Sequence, residues 1–414
     1  GVKYIATMST LDVSDHLRAS AGGNNGGAAG RGQDDNANAE DRCKYVSPGS
    51  YQRTDIQSML RDAQALCQKD PESFAFDDLV SIQAPMVRCS RPPFRKLCRL
   101  WGTKVNYTHM IMSESFARSA DARASDFAIY EGENMLITQI AGTNVSQMTA
   151  TAMMVAPYCD YVDINCGCPQ KWAMKEGIGS AMLEKPELTA EIVKSIVTHS
   201  GVPCVVKMRV YDDVRKSVDF ARMVEAAGAS WVTVHGRTPW SKPDDEVRTK
   251  SIVTVRESLS VPVVANGSVE SADTALALAR ACGVGGVMAG RGILSNPACY
   301  DPASHVVNPE TAGAYTSSLL PANFDVKVPL YQVHPPRATP KECVSDFVRL
   351  SAAMDLPMKA FSHHVLLMAN DLLSPAERNF LGQQKSFVGV VKYLRQAGVY
   401  VDEGRYHITA NAGF

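Results

Sequence analysis

The sequence predicts an α/β fold, a TIM (β/α)8 barrel followed by a C-terminal helical domain. Three observations carry that reading. Eight short apolar runs recur after about residue 79, and most of the gaps between them hold a helical pattern. The runs are almost continuously apolar, as strands of a parallel sheet covered on both faces must be. The strand signal then stops near residue 297, and only helical patterns follow. An open, doubly wound sheet is the structural rival. That architecture usually carries a Gly-rich dinucleotide turn after its first strand, and none stands here.

In chain order, residues 1–50 include a run of Gly, Ala, Asn and Asp over 22–40. Such a run cannot bury enough apolar surface to fold, so a disordered tail is expected. Residues 51–75 form an N-terminal helical segment, with an amphipathic helix over 51–69. The barrel spans 76–300. Its strands are expected at 81–84, 104–108, 135–140, 161–164, 204–208, 231–234, 261–265 and 286–289, with helices at 186–200, 214–227, 247–259 and 271–281. Eight such units over roughly 220 residues suit this barrel. Residues 301–340, rich in Pro and Ser, read as a linker loop. Helices over 340–354, 358–373 and 375–397 then build the helical domain of 341–414.

Composition narrows the function. Of 414 residues, 45% are hydrophobic, ample for a large core. The formal net charge of -1 makes the whole chain no magnet for nucleic acid, so RNA contact must come from local basic patches. The 11 cysteines form no CxxC pair, which speaks against a zinc site or a disulfide framework and for a reducing compartment. No apolar run has the length of a membrane span. The first residues lack a secretory pattern. The cytoplasm is the expected location, and no feature points to a protein partner.

In a TIM barrel the active site lies at the C-terminal ends of the strands. Polar groups gather there from seven of the eight. The first strand ends in Ala84-Pro85-Met86, the third carries Gln139, and the fourth ends in Asn165-Cys166-Gly167-Cys168-Pro169. The fifth carries Lys207-Met208-Arg209, and the sixth ends in His235-Gly236-Arg237-Thr238. The seventh ends in Asn266-Gly267 and the eighth in Gly290-Arg291-Gly292. Phosphate often binds after strands 7 and 8 of such barrels. Gly267 and Gly290 let the backbone approach it, and Arg291 offers a charged fork. A phosphorylated cofactor anchored there would place its reactive end over the barrel mouth. Lys207 suits an electron-rich flavin ring, whose anionic reduced form a cation stabilises. His235 and Gln139 are natural hydrogen-bond partners for the ring or its side chain.

An ordinary thiol, with a pKa of about 8.5, is mostly protonated at neutral pH. It can act as the general acid needed when hydride adds across a C=C bond. Cys168, between Gly167 and Pro169, is the candidate, with Cys166 its competitor. In extended backbone the two would point to the same side, so spacing leaves the choice open.

These segments resemble the tRNA-dihydrouridine synthase family, and most closely its eukaryotic branch acting at D-loop positions 20a and 20b. The resemblance lies in APMVRCSRPPFRKL (84–97), VDINCGCPQKWAMKEGIGSAML (162–183), VKMRVYDD (206–213), WVTVHGRT (231–238), VPVVANGSV (261–269) and GVMAGRGILSNPA (286–298). It covers a little over half the chain. It implies an NADPH-dependent enzyme that uses FMN to reduce the C5=C6 bond of a tRNA uracil. Cys168 would be the proton donor. Pro85, Met86, Gln139, Lys207, His235, Asn266, Gly267, Gly290 and Arg291 would hold FMN, and Asn165 would help hold the uracil. The C-terminal helices would grip tRNA. Ser268 departs from the family's usual Asp, and residues 239–250 are divergent and charged.

A target base inside folded tRNA must be turned out into the pocket. Arg88 and Arg237 are expected on the substrate side. Arg91, Arg95, Lys96 and Arg99 are further RNA contacts near the mouth, as are Lys359, His363, His364, Arg378, Lys385, Lys392 and Arg395 in the tail. No metal is expected, since His363 and His364, adjacent on a helix, do not face one site. Two rivals stand beside this reading. One is an FMN-dependent dihydroorotate or dihydropyrimidine dehydrogenase acting on a free pyrimidine, for which the helical tail has no use. The other is a non-catalytic RNA-binding protein, for which Cys168 and the cofactor set have no use.

Overall fold

The computed structural model describes residues 4–5, 51–302 and 338–406. Most of the expected tail (1–50), nearly all of the expected linker (301–340) and the last residues of the helical domain lie outside this set.

Eight parallel strands close into a barrel. They are β1 (Val80–Gln83), β2 (Asn106–Tyr107), β3 (Leu136–Ala141), β4 (Tyr161–Cys166), β5 (Cys204–Arg209), β6 (Val232–His235), β7 (Val263–Asn266) and β8 (Gly286–Ala289). The sheet runs β1-β8-β7-β6-β5-β4-β3-β2. A parallel bridge between Ile82 and Val105 joins its ends. The N–H of Gln83 adds a bond to the Val105 carbonyl at 2.9 Å. All eight strands fall where the apolar runs predict them.

The second strand is shorter than expected, for a local reason. The Thr108 hydroxyl accepts the Gln139 N–H at 3.1 Å, so a side chain replaces the backbone ladder there. The chain pairs with β3 again at Ile111–Met112. Apart from the barrel, Tyr4–Ile5 pairs antiparallel with Ile129–Tyr130.

The helices form the outer layer. The N-terminal helix α1 (Ile56–Lys69) begins at its Asp55 cap rather than at residue 51, and buries Ile56, Leu60, Ala63 and Cys67 on one face. Residues before it clamp the barrel instead: the Arg53 guanidinium donates to the carbonyls of Ala156, Cys159 and Gly201. Next come α2 (Pro92–Leu100), α3 (Ser113–Arg118), α4 (Ala120–Asp126), α5 (Val145–Val155) and α6 (Lys171–Lys175). Then follow α7 (Pro186–His199), α8 (Val214–Ala226), α9 (Thr249–Glu257), α10 (Ala272–Cys282) and α11 (Arg291–Ser295). Gly283 closes α10 in the left-handed region at φ 62°.

The C-terminal helices are α12 (Lys341–Ala353), α13 (Met358–Met368), α14 (Pro375–Gly382) and α15 (Phe387–Gln396). The sequence predicts one helix over 375–397. The chain instead breaks after Gly382 and restarts at Ser386, whose hydroxyl accepts the Gly389 N–H. These helices share the barrel's core. The Trp101 indole donates to Asp346 at 3.1 Å, and the Arg405 guanidinium lies 3.9 Å from the Trp101 ring. The Phe94 and His364 rings stack at 4.5 Å.

Two expected RNA contacts are thereby corrected. Arg95 is buried and grips both oxygens of buried Glu133, at 2.7 and 2.8 Å. His364 is buried too, and its Nε2–H meets the Cys89 carbonyl at 3.0 Å. Buried cations and imidazoles need partners, and these two side chains are committed to structure.

Candidate active site

The strands' C-terminal ends surround a cavity of about 500 Å³. Its lining includes Pro85, Met86, Gln139, Asn165, Cys168, Lys207, His235, Arg237, Asn266, Gly267, Gly290 and Arg291. The sequence-predicted set thus converges on one space. Arg88 alone does not line it; that side chain is exposed at the turn after β1, with φ 66°.

The two cysteines of the fourth strand separate. Cys166 ends β4 fully buried, and burial pushes its thiol well up, with Asp163 adding to the effect. The strand alternates faces, so Asp163 and Asn165 point inward while Cys166 packs in the layer toward Thr189 of α7. The Gly167 turn then swings Cys168 into the cavity. The two thiols do not share a side, because the extended backbone ends at Cys166. All other described cysteines are buried; Cys168 alone among them is half-exposed.

Asn165 shapes that turn. Its Oδ1 accepts the N–H groups of Gly167 at 3.0 Å and Cys168 at 2.9 Å. Its Nδ2 donates to Gln139 Oε1 at 2.7 Å, and Gln139 Nε2 donates to Asp163 Oδ2 at 2.6 Å. From the far side, the Arg209 Nε donates to the Gly167 carbonyl at 2.9 Å.

The opposite wall is cationic. Lys207 donates to Asn266 Oδ1 at 3.0 Å, and Asn266 Nδ2 donates to the Met288 carbonyl at 2.7 Å. Lys207, Arg209, Arg237 and Arg291 all line the cavity, and Glu270 is the one carboxylate among its lining residues. Burial depresses the Lys207 ammonium and raises the Asp163 carboxyl beneath it. Burial, reinforced by the four cations, pushes His235 well below its ordinary range, so its imidazole is neutral at pH 7. Such a surplus of positive charge lining one cavity calls for an anion, and a phosphate meets that need. The glycines keep this wall open. Gly267 adopts φ +139°, which strains any other residue, and a Cβ on Gly290 would meet only Ala84, at 3.7 Å. The residues present therefore fit a phosphorylated flavin.

A family model described as "Dihydrouridine synthase" matches residues 82–320. The chain is 34% identical over 336 residues to a Homo sapiens protein named as a tRNA-dihydrouridine(20a/20b) synthase-like protein, covering 80% of this chain and 95% of that one. It is 33% identical to a tRNA-dihydrouridine(20a/20b) synthase of Schizosaccharomyces pombe, covering 76% of this chain and 86% of the other. This chain belongs to the dihydrouridine synthase family. A protein named as the Saccharomyces cerevisiae 20a/20b enzyme is 36% identical over 53% of this chain and 62% of its own length. The chain is accordingly an oxidoreductase.

Within this family member, the divergent segment 239–250 has a definite place. Ser241, Lys242 and Pro243 line the cavity. Arg237 holds the segment through the Asp245 carbonyl at 2.6 Å, and Arg291 through the Pro243 carbonyl and, at 3.5 Å, Asp244. Ser268, in the family's usual Asp position, takes a bond from Arg237 at 2.6 Å.

Site residues that the sequence reading leaves out are Asp163 and Glu270, and Arg209, which it places at the end of the fifth strand, is given no role there. A signal for the first was present: Asp163 alternates with Val162 and Ile164 in a run otherwise apolar, and a polar residue at that period must face the barrel interior. Arg209 stands two residues after Lys207 by the same rule. Glu270 lies in the loop after β7 and carries no periodic signal.

Proposed function

We propose that the protein reduces uracil in the D-loop of tRNA to dihydrouridine, with FMN as cofactor, NADPH as reductant and Cys168 as proton donor. Positions 20a and 20b are the expected targets, the positions named for its relatives. The observation that carries this reading is the meeting of Cys168 and the cationic wall in one cavity. When bound, FMN supplies hydride from N5 to C6 of the uracil ring.

The remaining work belongs to the chain. Lys207, His235, Gln139 and Asn266 hold the flavin ring, and Gly267, Gly290 and Arg291 hold its phosphate. Asn165 orients the base, and Arg237 stands with Arg291 on the side of the phosphate. Cys168, aimed by its turn, protonates C5. Arg88, Lys359 and Lys392 are exposed where phosphates of a folded RNA can reach them.

Incubating the protein with FMN, NADPH and unmodified tRNA, then mapping dihydrouridine by mass spectrometry, tests the reading. Dihydrouridine at D-loop positions is expected. NADPH oxidation with no dihydrouridine in any tRNA overturns it, and free pyrimidines become the next substrates to assay.

A further inference from the structure

We propose that Asp163 is a positioning residue for Cys168, acting through a one-way relay of side-chain amides. The relay can be read from the turn downward. The N–H groups of Gly167 and Cys168 can only donate, so Asn165 must face them with its oxygen. Its amide nitrogen is then left for Gln139, which must answer with oxygen. The Gln139 nitrogen is left for Asp163, whose Oδ2 accepts it.

Each link is buried: Asp163 and Gln139 are 0% exposed and Asn165 is 8%. A reversed amide would set nitrogen against nitrogen, and a buried unpaired donor costs about 1–3 kcal/mol. The direction of the chain therefore needs a group at its base that accepts toward Gln139. A carboxylate does so; an amide can turn either way. Asp163 makes no other side-chain hydrogen bond: its Oδ1 has no partner among the described residues. Burial holds its carboxyl up, at about 8, against the Gln139 bond and Lys207, and in either protonation state an oxygen that carries no proton faces the Gln139 N–H.

The kinetic arm of the test rests on Cys168 being the proton donor in the proposed reaction; the chemical arm does not. Asp163→Asn keeps the shape and removes the fixed polarity. Reoxidation by unmodified tRNA is expected to slow about tenfold relative to flavin reduction by NADPH. Iodoacetamide labelling of Cys168, followed by peptide mass spectrometry, needs neither flavin nor RNA. It is expected to speed up about fivefold as the turn loosens.

The second variant combines Asp163→Asn with Gln139→Glu. The carboxylate then sits one place higher and accepts from both neighbours, so Asn165 is held in its original sense. Labelling should return to within about twofold of wild type. Wild-type labelling in Asp163→Asn, or a double variant that labels as fast as the single one, overturns the relay. Normal labelling shifts in a protein whose wild type makes no dihydrouridine would uphold the relay and sink the proposed reaction.

Discussion

Asn165 Oδ1 and the backbone N–H of Cys168 lie 2.9 Å apart, so the side chain of the last inward-facing residue of β4 fixes the turn that carries the thiol. Replacing that oxygen leaves two N–H groups without their acceptor. Asn165→Leu is expected to lower tRNA reduction about a hundredfold, the cost of misplacing one reacting group. Flavin content should stay near wild type. An assay that separates flavin reduction from tRNA-driven reoxidation would show the loss in the second step alone.

The separation of the two strand-end cysteines gives a paired prediction. Cys168→Ala should retain flavin and lose dihydrouridine formation. Cys166→Ala should retain substantial activity and cost about 1 kcal/mol of stability, as a small core truncation does. If Cys166→Ala abolished product and Cys168→Ala did not, the assignment of the acid would be wrong.

Arg291→Ala is expected to weaken FMN binding about tenfold, through loss of one charge-assisted fork at the phosphate. Its partners in the structure are exposed, the Asp244 contact being 3.5 Å, so stability should hardly change. Fluorescence titration of FMN into the variant measures this, and an unchanged affinity would contradict the phosphate site.

His364 couples stability to pH. Burial, partly opposed by its bond to Cys89, lowers it from 6.5 to about 4. The unfolded chain thus binds a proton that the folded chain refuses between those values. Stability rises with pH across the window and falls as pH drops from about 6.5 toward 4, by on the order of 3 kcal/mol. His364→Gln keeps an N–H for the Cys89 carbonyl and has no titration. Denaturant unfolding at pH 7 and pH 4.5 should show a smaller acid loss in that variant than in wild type. Equal losses would remove His364 from the account.

Arg95 is expected to matter for folding rather than for RNA. Arg95→Met leaves Glu133 buried without its partner, and breaking such a pair costs about 3–5 kcal/mol. A lower denaturation midpoint, with unchanged tRNA affinity in the fraction that folds, would bear this out.

The barrel was legible because strand runs and helix periods differ in kind, and every predicted strand overlaps an observed one. The turn at the end of β4 was legible because Gly167 and Pro169 bracket Cys168, though spacing left Cys166 and Cys168 as rivals. Burial within a helix was not. Arg95 and His364 carry charges or donors that read as surface, and only the packing of Phe94 on His364 and of Glu133 on Arg95 reveals where they point. The break after Gly382 was equally hidden, since Phe380 and Phe387, seven residues apart, keep a helical apolar spacing across it.

The helix α2 has neighbours on two sides. Phe94 and Trp101 meet the C-terminal helices, while Leu97 and Cys98 belong to the same continuous core as the barrel strands. A barrel cut free at residue 340 would therefore present an oily stripe to water, and such a fragment should clump rather than fold cleanly. The two halves cannot drift apart in sequence independently: a change of size on α2 must be accepted on both sides at once.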